Sequence, residues 1–192
     1  GDVSIFVDSQ SGDLENPQDL LFGDDGNLYV SSASNEVLRY QGPGGASPGA
    51  FVDAFVTAGD EGLSSIGSMA WDLNGDLLVS SNSLNGVLKF DGETGGFLET
   101  FVKSGAGGLD NIMAGGMVFG PDRTGDGIED LYVSSRNSLE SVLVFDGQNG
   151  GFHKELTPDR LGGISKPGGL LFDSDGNLLV VNVDEDRVLR YG

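Results

Sequence analysis

Four segments of this chain are near copies of one another, and this repeat limits the fold more than any other property. Leu20-Leu21-Phe22, Asp25-Gly26-Asn27 and Leu28-Tyr29-Val30-Ser31-Ser32 return as Met69-Ala70-Trp71, Asn74-Gly75-Asp76 and Leu77-Leu78-Val79-Ser80-Ser81. They return again as Leu170-Leu171-Phe172, Asp175-Gly176-Asn177 and Leu178-Leu179-Val180. A third copy is split, with Met117-Val118-Phe119 separated from Leu131-Tyr132-Val133-Ser134-Ser135 by a longer loop. Each copy is followed by a matching segment ending in an aromatic residue: Tyr40, Phe90, Phe145 or Tyr191. Val30, Val79, Val133 and Val180 mark the period, with steps of 49, 54 and 47 residues; the long step holds a six-residue insertion.

Within one unit the apolar runs are short, rich in Val, Leu, Phe and Tyr, and bounded by turn residues, which is the pattern of strands. Asp25-Gly26, Asn74-Gly75 and Asp175-Gly176 are hairpin signals, because these residue types tolerate positive φ. A fourth strand is expected from Phe51 to Val56, from Phe97 to Val102 and from Phe152 to Thr157. Four antiparallel strands at this period predict an all-β fold, a four-bladed β-propeller of four-stranded blades. The blades are placed at about 17–56, 66–102, 114–157 and 167–192, within a single domain 1–192. The last unit ends after its third strand, and Val3–Val7 supplies a fourth in register, since Val7 precedes Phe22 as Val56 precedes Trp71. Residues 1–8 are therefore expected to pair with Val188–Tyr191 and close the ring of a monomer; the competing reading is a fragment of a larger propeller.

The unit Pro167-Gly168-Gly169-Leu170-Leu171-Phe172 through Asp175-Gly176-Asn177-Leu178 resembles the NHL-type propeller repeat, and also propeller repeats of secreted bacterial proteins. That resemblance implies a propeller fold and an extracellular location. It is compatible with binding platforms, a streptogramin-inactivating lyase or calcium-dependent lactonases. Such families usually have six or more blades, so four is a departure.

Thirty acidic residues against ten basic ones give a formal charge of −20. Such a surface repels phosphate backbones and anionic lipid, so nucleic acid is excluded as a partner. No apolar run approaches the length needed to span a bilayer, which excludes membrane insertion by a helix. With no cysteine there is no disulfide and no thiol chemistry.

The insertion in the third unit fits the opening of a calcium loop. Asp122, Thr124 and Asp126 offer side-chain oxygens, Ile128 its carbonyl and Asp130 a carboxylate, with Gly127 at the sharp turn. Thr124 replaces a stronger ligand and Val133 stands where a twelfth-position glutamate would, and the alternative reading is a polar hairpin with no metal; calcium bound here is expected to stabilise the loop, because the loop joins the first two strands of a blade. The loop face around the ring axis would carry Gln18, Asp19, Ser32, Ser68, Asn82, Arg136, Asn137, Asn182 and Asp184 as candidate ligand-binding groups. No catalytic residues are assigned: the one histidine, His153, falls in an outer strand and no nucleophile–base pair is visible. The sequence therefore predicts a non-catalytic extracellular binding module for a carbohydrate or protein. The alternatives are a metal-dependent lactonase-like hydrolase or lyase at the axis, and a rigid spacer.

Overall fold

The computed structural model describes residues 2–112 and 116–192. Positions 114 and 115, where the third unit was expected to begin, lie outside the described residues. The fold is an all-β, four-bladed β-propeller. Blade 1 contains β1 (Asp19–Phe22), β2 (Leu28–Ser32), β3 (Glu36–Tyr40) and β4 (Phe51–Val56). Blade 2 contains β5 (Ile66–Trp71), β6 (Leu77–Ser81), β7 (Gly86–Phe90) and β8 (Phe97–Val102). Blade 3 contains β9 (Met117–Gly120), β10 (Asp130–Ser135), β11 (Ser141–Phe145) and β12 (Phe152–Glu155). Blade 4 contains β13 (Pro167–Phe172), β14 (Leu178–Asn182) and β15 (Arg187–Tyr191). Every pairing is antiparallel between consecutive strands. The hairpin signals form the turns between the first two strands, where Gly26, Gly75 and Gly176 take φ near +80°.

Alternation along the strands gives each blade two apolar faces, and the blades stack through them. Leu77, Val79, Leu88 and Phe90 of blade 2 pack on Tyr29, Val37, Phe55 and Val56 of blade 1. Leu131, Val133, Leu143 and Phe145 of blade 3 meet Leu78, Val87, Phe101 and Val102 of blade 2. Leu178 and Val180 of blade 4 meet Tyr132, Val142 and Val144 of blade 3. The inner strands are also joined directly: Met69 N–H donates to Asp19 Oδ2 at 2.8 Å, Trp71 Nε1–H to the Phe22 carbonyl at 2.9 Å, and Gly116 N–H to the Gly168 carbonyl at 2.8 Å.

The expected closure is not formed within the chain. Blade 4 is a three-stranded sheet, and residues 2–7 adopt no strand. The N-terminal segment packs on blade 1 in the place an outer strand of a preceding blade takes, but it makes no ladder with β15. Val7 and Leu14 cover Leu28, Val30, Leu38 and Tyr40 of blade 1, as Val56 and Leu63 cover the matching face of blade 2. The backbone carbonyl of Phe6 approaches Gly49 as the carbonyls of Phe55 and Phe101 approach Gly95 and Gly150, so closely that a Cβ on any of these glycines would overlap the oxygen. The equivalence of Val7 with Val56 read from sequence is thus correct, but the expected pairing with Val188–Tyr191 is absent. The far face of blade 4 stays open, with Val188 62% and Val181 43% exposed. Leu20 at the inner edge of blade 1 is 63% exposed, whereas its counterpart Met69 between blades is 4% exposed.

Candidate binding face

The loops expected to line the axial face are built by one repeated device. The last residue of each second strand holds the loop that leads into its own blade. Ser32 Oγ accepts from Glu15 N–H at 3.0 Å and donates to the Glu15 carbonyl at 3.0 Å. Ser81 does the same for Ser64, and Ser135 for Asp110. In blade 4 the position is Asn182, whose Oδ1 accepts from Ser165 N–H while Nδ2 donates to the Gly163 carbonyl at 3.0 Å. Ser32 and Asn182 are fully buried. Both candidates are therefore loop clamps, a role that the interchange of Ser and Asn at one repeat position already hints at.

A second device joins neighbouring blades. Asn35 and Asn85 sit at positive φ in the turn before the third strand, and their Oδ1 atoms accept from Ser65 N–H at 2.6 Å and Asn111 N–H at 3.0 Å of the next blade. Asp19 also serves an inter-blade contact: its carboxylate accepts from Leu20 and Met69 N–H, and burial pushes it above the usual carboxylate range. Asn137 Oδ1 accepts from Asn111 Nδ2 at 3.0 Å. Asp184 pairs with Lys166 at 3.0 Å and accepts from Ser165 Oγ; the Lys166 hydrogen bond leads the effects that hold its carboxyl below the ordinary range, and the charge of Arg136 adds to them. Asn82 is half-buried just after β6, and Ser68 lies within β5.

Of the nine candidates, Gln18 opens onto a cleft. This cleft has a volume of about 240 Å³ and is lined by Asn16, Gln18, Asn35, Ser64 and Ser65 together with the apolar Ala33 and Ile66, all uncharged. On the opposite face, which the sequence reading passed over as turn geometry, a wider bowl of about 580 Å³ is lined by Asp24, Asp25, Tyr29, Trp71, Asp72 and Glu93 among others. Turn chemistry does account for part of it: Asp72 Oδ1 accepts from Asn74 N–H at 2.8 Å and Asp76 N–H at 2.9 Å.

In the 122–130 loop the carboxylates serve the loop's own amides. Asp122 accepts from Gly125 N–H at 2.6 Å and Gly127 N–H at 2.8 Å, which lowers its pKa below the usual value, the Gly125 bond first. Asp130, fully buried, accepts from the N–H groups of Arg123 and Thr124. Asp126 accepts from Ile128 N–H at 2.9 Å, and Thr124 Oγ1 donates to Asp122 at 3.2 Å. Among the described residues no three His, Cys, Asp or Glu side chains are grouped as metal ligands. His153 is exposed on β12.

No protein-family model matches the chain, and no curated protein does. Solved structures that resemble it are β-propeller proteins. A streptogramin B lyase superposes with a TM-score of 0.62 at 16% identity, over 98% of this chain and 53% of the other. An auxiliary nutrient binding protein from Bacteroides ovatus gives 0.68 at 13%, over 94% and 49%. An extracellular domain assigned to a hybrid two-component system of B. thetaiotaomicron gives 0.61 at 16%, over 92% and 24%. The chain spans about half the length of the lyase and of the nutrient-binding protein. At these identities the likeness defines the class, a β-propeller, and no particular protein within it.

Proposed function

We propose that this chain is a non-catalytic extracellular binding module of NHL-like propeller repeats, and that its cleft at Asn16, Gln18, Asn35, Ser64 and Ser65 takes a neutral carbohydrate. The cleft carries the reading. It concentrates amide and hydroxyl groups in a molecule whose net charge is −20, and such groups match the alternating donors and acceptors of sugar hydroxyls without attracting ions. The extracellular domain and the nutrient-binding protein of the same fold support a location outside the cell and a binding role.

The test is calorimetric titration with a panel of neutral oligosaccharides. A binder is expected that loses at least tenfold in affinity on Gln18→Ala and is unchanged on Asn137→Ala. A panel with no binder, or one indifferent to Gln18, refutes the reading. A lyase of the same fold keeps the axial hydrolase or lyase reading in view. Turnover of a lactone panel that disappears on Asp19→Asn would establish that reading in place of ours. The calcium role of the 122–130 loop rests on its motif, and an ion there would have to displace amide contacts made by Asp122 and Asp130.

A further inference from the structure

We propose that the seam between blades 3 and 4 binds the carboxylate group of a small ligand, held by Arg136. This site is separate from the neutral cleft, and the inference does not rest on the carbohydrate reading. It starts from a repeat position whose backbone is fixed while its side chain changes. Ala33, Asn82 and Arg136 each follow the clamp serine of their blade. Ala33 N–H donates to the Glu15 carbonyl at 2.8 Å and Arg136 N–H to the Asp110 carbonyl at 3.3 Å, so both are pinned to the loop that leads into their own blade. Ala33 lines the cleft at the seam of blades 1 and 2. Arg136 therefore stands at the matching place on the seam of blades 3 and 4, with a guanidinium where the first seam has a methyl group.

Other residues of that cleft have counterparts here too. Asn35 and Glu140 both take positive φ immediately before the third strand, and Ser65 and Lys166 both do so immediately before the first strand of the following blade. Ser64 and Ser165 directly precede Ser65 and Lys166. The neutral set Ala33, Asn35, Ser64 and Ser65 thus becomes Arg136, Glu140, Ser165 and Lys166. Ser165 Oγ gathers the carboxylates, lying 3.3 Å from Glu140 Oε1 and 3.2 Å from Asp184 Oδ2. Most of the charges are matched: Glu140 pairs with Arg160, and Asp184 with Lys166 at 3.0 Å. The surplus positive charge falls on Arg136. After the Lys166 hydrogen bond, the Arg136 charge helps to hold the Asp184 carboxyl below its ordinary range, so the two lie near each other. Yet among the described residues no carboxylate comes within ion-pair distance of the Arg136 guanidinium, and its Nε–H, shielded from solvent, has no acceptor.

The chemistry of the seam selects the ligand. A guanidinium presents a planar fork that a carboxylate meets with two parallel N–H···O bonds. A shielded N–H without an acceptor is unfavourable, and an incoming oxygen removes that penalty. Glu140 and Asp184 repel a doubly charged anion such as phosphate, whereas a single negative charge is balanced by the surplus cation.

The test is a titration with sodium D-glucuronate at constant ionic strength, followed by the NMR signals of the Arg136 Nε–H and of the backbone amides of Ser135 and Ser165. Saturable shifts are expected with glucuronate and none with D-glucose at the same concentrations. Acetate separates two sources of the carboxylate: equal affinity assigns the site to simple organic acids, and weaker binding assigns it to an acidic sugar. Arg136→Gln should weaken glucuronate binding by about tenfold. Asp184→Asn removes a repelling carboxylate and should tighten binding by about threefold, a gain that a misfolded variant cannot produce. No saturable shift, the same response to glucose, an affinity unchanged by Arg136→Gln, or an Asp184→Asn variant that binds no tighter than the parent would each overturn the proposal. The neutral cleft is decided separately, by Gln18→Ala.

Discussion

Lys89 of β7 is nearly buried, with its side chain 9% exposed, and its Nζ lies 2.7 Å from Asp72 Oδ2 and 3.0 Å from Asp76 Oδ2. Asp72 is itself 3% exposed at the side chain, so removing the lysine strands a buried carboxylate beside a second one. In a medium of effective dielectric near 20, attraction at such distances is about 6 kcal/mol, much of it offset by desolvation. Breaking a buried pair from one side costs about 3–5 kcal/mol. For a domain of this size each kcal/mol moves the melting midpoint by about 2–4 °C, so Lys89→Met is expected to lower it by about 10 °C. The assay is thermal unfolding by circular dichroism, for Lys89→Met, Asp72→Asn and the double variant. The double variant should recover part of the loss, with a coupling of about 1–3 kcal/mol. A loss under about 1 kcal/mol for Lys89→Met would mean that the cluster behaves as an exposed ion pair, and the burial argument would be wrong.

Gly95→Ala places a Cβ 1.8 Å from the Phe55 carbonyl at φ +72°, and should destabilise blade 2 against blade 1 by about 2–4 kcal/mol, read by denaturant titration. Burial raises the Asp19 pKa, so its folded form holds a proton more tightly than its unfolded form. Its contribution is greatest below the unfolded pKa and fades as pH rises through the folded one. The midpoint of Asp19→Asn relative to the parent should therefore improve upward from about pH 4, and a difference that is flat with pH would exclude the effect. If the 122–130 loop takes up calcium, the ion adds about 2.7 kcal/mol of stability at a hundredfold excess over Kd and raises the midpoint, and Asp126→Ala removes most of that rise. An equal rise in both proteins would assign the effect to screening of the surface charge.

How much of this could be read in the sequence depended on the range over which each feature is fixed. The strands and hairpins follow from local alternation and from Asp-Gly or Asn-Gly turns, and β4 and β8 run from Phe51 to Val56 and from Phe97 to Val102 as expected. The register of Val7 and Leu14 was also legible, because it copies Val56 and Leu63. That the segment would form no ladder with β15 was not. Equivalence between repeat positions says what kind of neighbour a residue needs, and leaves open whether the fold brings that neighbour within reach. At the candidate face the polar character of Ser32, Asn182 and Asp19 was read as availability, whereas the backbone groups of adjacent loops occupy them. Asn35 was passed over because its inter-blade role depends on an amide, Ser65 N–H, thirty residues away. The acidic bowl beside Trp71 joins turns of different units, and no pattern within one unit announces it.

The antiparallel ladders join only consecutive strands, and each blade touches chiefly its neighbours, so stability is distributed as in a one-dimensional array. Blades 2 and 3 are supported from both sides, while β14 and β15 form one wall of the array with a half-exposed face. Amide hydrogen exchange should accordingly be slowest in β6, β7, β10 and β11 and fastest in the last fifteen residues, opening from the C-terminal end inward before any global unfolding. Because the ladders join only neighbouring strands, refolding can start in any blade and spread outward, one unit seeding the next.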